Sequence, residues 1–204
     1  MRLDAVPARE RSALGDGIAM RRFQCVGDAR PTAPAATRCR DRLRWAETVA
    51  GAGEFTSTAS ALARFDREFG PHIAAFAECC VLLFDGDACI GTATAWYPPG
   101  AVGVSGAAGR LHWVAVLPPY RRRGFGVALV REALGLMRDR GTPSAFLTTQ
   151  TASCAAINLY AAHFGFVADC AAPDAEVARG WSLVAEELRS SGVACPWLTV
   201  PVFQ

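Results

Sequence analysis

Apolar residues follow two spacings along this chain. In residues 57–69, Ala61, Leu62, Phe65 and Phe69 recur at helical spacing and Gly70-Pro71 stops the run, predicting a helix; residues 36–50 predict another before it. Residues 79–84 and 88–96 are apolar runs of strand length joined by Asp85-Gly86-Asp87, which predicts an antiparallel hairpin. Residues 111–117 are apolar on both faces, the pattern of a central, covered strand. Over 126–140, Val127, Val130, Ala133, Leu134 and Met137 form one helical face, ended by Gly141 and Pro143. Residues 144–149 predict a strand, 154–163 a helix, 174–189 a helix with Trp181, Val184 and Leu188 on one side, and 197–203 a last strand. Near the start, 18–26 predict a strand ended by Gly27-Asp28, and 30–34 read as loop. Residues 1–16, without sustained period, read as a flexible leader ahead of one domain over 17–204. The glycine-, alanine- and proline-rich stretch 98–109 is a connecting loop with the freedom to border a ligand site.

Composition narrows the function. An apolar fraction of 51% with 20% charged residues is that of an ordinary globular chain. A net charge of +2 does not suggest a nucleic-acid partner, for which the short arginine run is the sole recommendation. All 21 basic residues are arginine, so any amine acceptor other than the N-terminus comes from elsewhere. No apolar run reaches the roughly 18 residues a membrane span needs, and the N-terminus lacks a signal-peptide core; a cytoplasmic protein is expected. The eight cysteines show no C-x-x-C pair, which favours buried reduced thiols over disulfides or a metal site.

The most informative segment runs from Val114-Ala115-Val116 through Leu117-Pro118-Pro119-Tyr120 to Arg121-Arg122-Arg123-Gly124-Phe125-Gly126-Val127-Ala128, where strand, turn and helix start follow directly. A helix N-terminus leaves about four N–H groups unpaired and attracts phosphate. Glycines at 124 and 126 let a pyrophosphate approach the backbone. A Rossmann turn needs G-x-G-x-x-G and a P-loop needs G-K-[ST], and neither is present.

Arg121-Arg122-Arg123-Gly124-Phe125-Gly126 resembles the Q/R-x-x-G-x-G/A signature of the GNAT (Gcn5-related) N-acetyltransferases, preceded by a V-A-V-x-P strand end. Residues 153–166 resemble the family's N-x-x-A-x-x-L-Y-x-x-x-G-F segment, with Ser153 where asparagine is frequent. The resemblance covers about residues 55–167. It implies an α/β (α+β) fold with a mixed central sheet of about six to seven strands, splayed between two central strands and flanked by helices. The pantetheine arm of acetyl-CoA would lie in that gap against Val114 and Val116, and residues 121–128 would wrap the pyrophosphate. Ser153 would also contact the cofactor.

The same resemblance implies transfer of an acetyl group to an amine by direct attack, without a metal, and assigns Tyr160 to protonate the departing thiolate. A phenol with a pKa of about 10 keeps its proton at neutral pH. For the general base the family supplies a Glu, Asp, His or water chain. His112, with an unperturbed pKa near 6.5, is the candidate here, against the reading of a structural histidine. Trp96, Tyr97 and Trp113 could line the acceptor cleft or pack in the core, and Glu54 and Phe55, between the helix pair, could face the acceptor. A small-molecule or peptide amine is the expected partner, and a homodimer is left open. A non-catalytic acyl-CoA sensor stands as the alternative: it would keep the turn and have no use for Tyr160 as a proton donor.

Overall fold

A computed structural model of the chain describes residues 1–7, 14–25, 39–97, 108–150, 152–168 and 175–193. The sequence expectations at 26–38, 98–107, 174 and 197–203 lie outside these residues. The described elements in chain order are β1 (Arg2–Leu3), β2 (Ile18–Arg22), α1 (Arg40–Gly51), α2 (Thr58–Glu68), α3 (Ile73–Cys79), β3 (Cys80–Asp85), β4 (Ala88–Trp96), β5 (Gly109–Val116), α4 (Phe125–Asp139), β6 (Ala145–Phe146), α5 (Cys154–Phe164) and α6 (Ala175–Ser190).

One six-stranded mixed sheet takes the order β1-β6-β5-β4-β3-β2, with β5 and β6 parallel and every other pair antiparallel. Alternation along the strands separates two cores. Val81, Leu83, Ala93, Ala95 and Leu111 face α4, whose Leu129, Val130, Ala133 and Leu134 cover them. On the other face Cys80, Leu82, Phe84, Trp96 and Ala115 meet Trp45 of α1 and Phe65 of α2. That second core is an aromatic cluster: Trp45, fully buried, stands edge-on to Phe65 at 5.2 Å and Phe69 at 6.0 Å.

Local chemistry fixes the helix starts. Ser57 and Ser60 form a reciprocal capping box at α2. Asp41, in the first turn of α1, is buried and accepts bonds from Arg21 at 2.6 and 2.8 Å, from Gln24 N at 2.8 Å and from Arg44 at 3.1 Å. This carboxylate turns the chain away from the sheet after Phe23, so β2 ends at Arg22 rather than at Val26.

Three further expectations are corrected. Within the stretch read as a flexible leader, Arg2–Leu3 pair with β6 and bridge to Val167, and Met1, Leu3 and Val6 are buried; a two-residue strand carries no period to detect. The apolar run beginning at Cys79 is split: α3 takes residues up to Cys79 and β3 starts at Cys80. The strand expected over 144–149 shortens to Ala145–Phe146.

Candidate functional site

The site begins where the sheet comes apart. β5 pairs with β6 through Gly109–Ala145 and Arg110–Phe146 alone, so from Leu111 onward that edge has no partner strand among the described residues. On its other edge β5 keeps its ladder to β4, and Leu117 N donates to Ile90 O at 2.9 Å. Alternation therefore aims the backbone groups of Val114 and Val116 into the opening and those of Ala115 toward β4.

A bulge interrupts β5 within this stretch. Thr92 pairs with Ala115 but Thr94 with His112, and Trp113 takes φ 47, a left-handed value a tryptophan rarely holds. The extra residue puts His112 and Trp113 on the same face, that of α1 and α2, while Leu111 and Val114 point to α4.

Glu68 of α2 meets both. Its Oε1 lies 2.6 Å from His112 Nε2, and its Oε2 accepts from Arg64 Nε at 2.7 Å and from Trp113 Nε1 at 3.4 Å. Burial opposes the charge on Glu68, but the hydrogen bonds from His112 and Arg64 outweigh it and hold the pKa down to about 2. His112 is shifted below its ordinary value because burial outweighs the pull of Glu68. A neutral imidazole that donates through Nε2 leaves Nδ1 as its proton acceptor.

At the exit of β5, Leu117 leads into a short 3-10 turn (Pro118–Tyr120) and then the arginine run. Arg122 has φ 62 and Gly124 φ 82; left-handed residues at alternate positions curl the backbone into a concavity of N–H groups at the start of α4. Arg123 stacks on Phe125 at 4.9 Å and on Tyr120 at 5.6 Å. Val127 is half-buried and Ala128 buried behind the turn.

The two glycines differ in their surroundings. Gly124 has open space around it and is required by its φ. A Cβ on Gly126 would come within 3.0 Å of Leu159 Cδ1, so this glycine lets α4 and α5 approach closely. Gly124→Ala is expected to cost about 1–2 kcal/mol from the left-handed penalty, read as a lowered denaturation midpoint.

α5 packs against α4, with Leu159 close to Gly126. Gly165, at φ 75, ends α5, with Gly165 N bonded to Ala161 O and Phe166 N to Tyr160 O. Phe166 is buried against the Tyr160 ring at 6.0 Å. Burial, and after it the charge of Glu54, push the Tyr160 phenol above its ordinary value. Ser153 precedes α5 at the cap position, but its side chain makes no capping bond.

Glu54 and Phe55 follow α1 on a loop closed by Gly53 (φ 92) and by the bond from Glu54 N to Val49 O at 3.0 Å. Phe55 packs on Trp113 with ring centroids 5.0 Å apart. Phe55, Trp113 and His112 thus form one connected group with Glu68, and Glu54 lies near enough to Tyr160 for its charge to act on the phenol. Trp96 and Tyr97 are elsewhere. Trp96 is buried against Phe69 at 4.9 Å, and Tyr97, on the opposite face, bonds Thr142 Oγ1 through its hydroxyl at 2.8 Å. Sequence reasoning missed Glu68: the Arg64–Glu68 spacing marks a helical ion pair, but nothing in it announces a histidine 44 positions away.

The six described cysteines, Cys25, Cys39, Cys79, Cys80, Cys89 and Cys154, form no disulfide with one another, and burial pushes the thiols of Cys39 and Cys80 up to about 12. No helix among the described residues is long and apolar enough to cross a membrane.

Residues 41–166 match the model of the acetyltransferase (GNAT) family. None of the curated proteins compared matches the chain. Similar solved structures include diaminobutyrate acetyltransferase EctA from Paenibacillus lautus, in complex with L-2,4-diaminobutyric acid and coenzyme A (18% identity, 72% of this chain and 75% of that one, TM-score 0.49). An acetyltransferase of Trypanosoma brucei is 19% identical over 74% of this chain and 93% of its own, with a TM-score of 0.49. A GCN5-related N-acetyltransferase of Sphaerobacter thermophilus is 20% identical over 72% of this chain, with a TM-score of 0.47. The chain spans 40% of the length of that protein and 38% of a matching Pyrococcus horikoshii chain. A family match that runs from α1 through the bulge and the turn to Phe166, over more than half of the sequence, places the chain in the acetyltransferase (GNAT) family.

Proposed function

We propose that the chain transfers an acetyl group from acetyl-CoA to an amine on a small-molecule or peptide acceptor. The observation that carries this reading is the open edge of β5, which leads through one 3-10 turn into the N–H concavity at residues 122–126. That arrangement fits the co-substrate: a strand edge with unpaired backbone groups suits an amide-bearing arm, and the start of α4 suits a pyrophosphate. Val114 and the Val116 N–H would hold the arm, and the backbone of residues 122–128 with the Arg122 guanidinium the phosphates. Ser153, beside α5, would add a hydroxyl contact. The bound co-substrate supplies a thioester.

The chain's own residues divide the proton traffic. Tyr160, kept protonated by burial, donates to the departing sulfur. His112, kept neutral by burial and oriented by Glu68, takes the amine proton at Nδ1. Phe55, Trp113 and Glu54 border the acceptor. Acetyl-CoA supply and described cysteines that form no disulfide with one another fit a cytoplasmic setting.

Release of free thiol from acetyl-CoA, measured across a panel of small amines and peptide N-termini, tests the reading. Amine-dependent release supports it, whereas coenzyme A binding with no release for any amine leaves an acyl-CoA-binding module. Glu68→Gln keeps an amide able to hydrogen-bond but removes the charge that raises the His112 pKa. Its expected effect is a shift of the acid limb of kcat/KM to lower pH, together with slower turnover. An unmoved acid limb would take the Glu68–His112 pair out of the mechanism.

A further inference from the structure

The guanidinium of Arg121 is not aimed into the turn that it begins. Its Nε donates to Val116 O at 3.0 Å and its Nη2 to Ala52 O at 2.7 Å. Ala52 is the C-cap of α1, a helix of 12 residues with no basic residue in its last turn. The carbonyls at a helix C-terminus carry partial negative charge and favour a cation. Arg121 supplies that cation from 69 positions away.

The contact is close on both sides. Gly51, at the end of α1, lies so near the exit of β5 that a Cβ there would meet Leu117 Cδ2 at 2.8 Å. The loop that follows carries Glu54, whose charge acts on the Tyr160 phenol, and Phe55, which lies on Trp113. One charge-assisted hydrogen bond, from Arg121 Nη2 to Ala52 O, thus joins the turn at the start of α4 to the end of α1 that leads into the loop on the acceptor side, while the bond to Val116 O anchors the same guanidinium to β5. Swinging Arg121 onto a phosphate would break both and uncap α1.

Resting on the functional reading above, we propose that Arg121 is a positioning residue and not a phosphate ligand. It holds residues 52–55 against the cofactor turn, so that filling the turn orders the loop bordering the acceptor. The phosphates are left to the backbone N–H groups of residues 122–126 and to Arg122. By linkage, an acceptor would in turn tighten the cofactor.

Amide hydrogen exchange at residues 52–57, with and without coenzyme A, tests this in the wild type, Arg121→Ala and Arg121→Lys. Calorimetry gives the coenzyme A affinity of each, and thermal unfolding shows that each is folded. In the wild type, coenzyme A is expected to slow exchange in the loop by about fivefold or more. In Arg121→Ala the loop exchanges faster without ligand and the slowing is lost, while the dissociation constant stays within about threefold. Lysine, a cation without the two-pronged fork, restores part of the protection.

A loss of about tenfold or more in coenzyme A affinity, with loop exchange unchanged, would make Arg121 a phosphate ligand and overturn the inference. Equal loop exchange in wild type and Arg121→Ala would also overturn it. Absence of coenzyme A binding by the wild type refutes the functional reading instead, and the ligand-free exchange comparison still decides whether Arg121 holds the loop.

Discussion

Tyr160→Phe is expected to lower turnover by about 100-fold or more while leaving acetyl-CoA affinity near that of the wild type. The substitution is clean. Among the described residues the hydroxyl makes no hydrogen bond, so its removal leaves no buried partner unpaired, and the ring keeps its packing on Phe166. A fall in kcat with an unchanged dissociation constant therefore reads the loss of a proton donor and not of structure. The raised phenol pKa sets the sign of a second readout: Tyr160 stays protonated through neutral pH and beyond its ordinary value near 10, so it imposes no basic limb around neutrality. Rates for wild type and variant across an amine panel, with calorimetric affinities, check both points; equal kcat values would remove Tyr160 from the chemistry.

Trp45→Ala carries the largest expected loss of stability, about 3–5 kcal/mol against a total of about 5–15 for a domain of this kind. Its indole is fully buried and touches Phe55, Phe65, Phe69, Phe76 and Trp113, with ring centroids 5.2 to 6.5 Å away. Shrinking it leaves a cavity bounded by two rigid helices and the sheet, which closes poorly. Two of those five partners, Phe55 and Trp113, are residues proposed to border the acceptor. Any Trp45→Ala protein that stays folded should therefore show a raised KM for the amine. The indole N–H has no hydrogen-bond partner among the described residues, so Trp45→Phe sacrifices packing volume without breaking a bond and should be the milder change. Denaturant unfolding of the two variants checks the order.

The parts of the molecule that could be read from sequence were those with their own local grammar. α2, α4 and α5 have apolar faces at helical spacing and a glycine or capping serine at an end, and they lie within a residue or two of where the pattern puts them. The β3–β4 hairpin announced itself through Asp85-Gly86-Asp87. α3 did not, because Ile73–Cys79 is a short apolar stretch that merges with the strand after it, and its boundary is set by packing of Phe76 and Cys79.

At the site the limit was of the same kind. The turn at residues 121–126 and Tyr160 stood out as motifs, whereas the bulge at Trp113 is imposed by the sheet: nothing about tryptophan predicts φ 47. The bulge brings two consecutive side chains to Glu68, so the Glu68–His112 pair was legible in neither residue alone. Arg121 is the sharper lesson. Its contacts to two carbonyls, one of them at the end of a helix far upstream in sequence, cannot be read from its place in the signature.

Everything proposed about catalysis depends on acetyl-CoA occupying the opening beside β5. Calorimetric titration of acetyl-CoA into the purified protein tests that most directly. The expected result is saturable one-to-one binding with a dissociation constant between about 1 μM and 1 mM, competed by coenzyme A and weakened in Gly124→Ala. Neither heat nor a thermal shift at millimolar ligand would contradict the account.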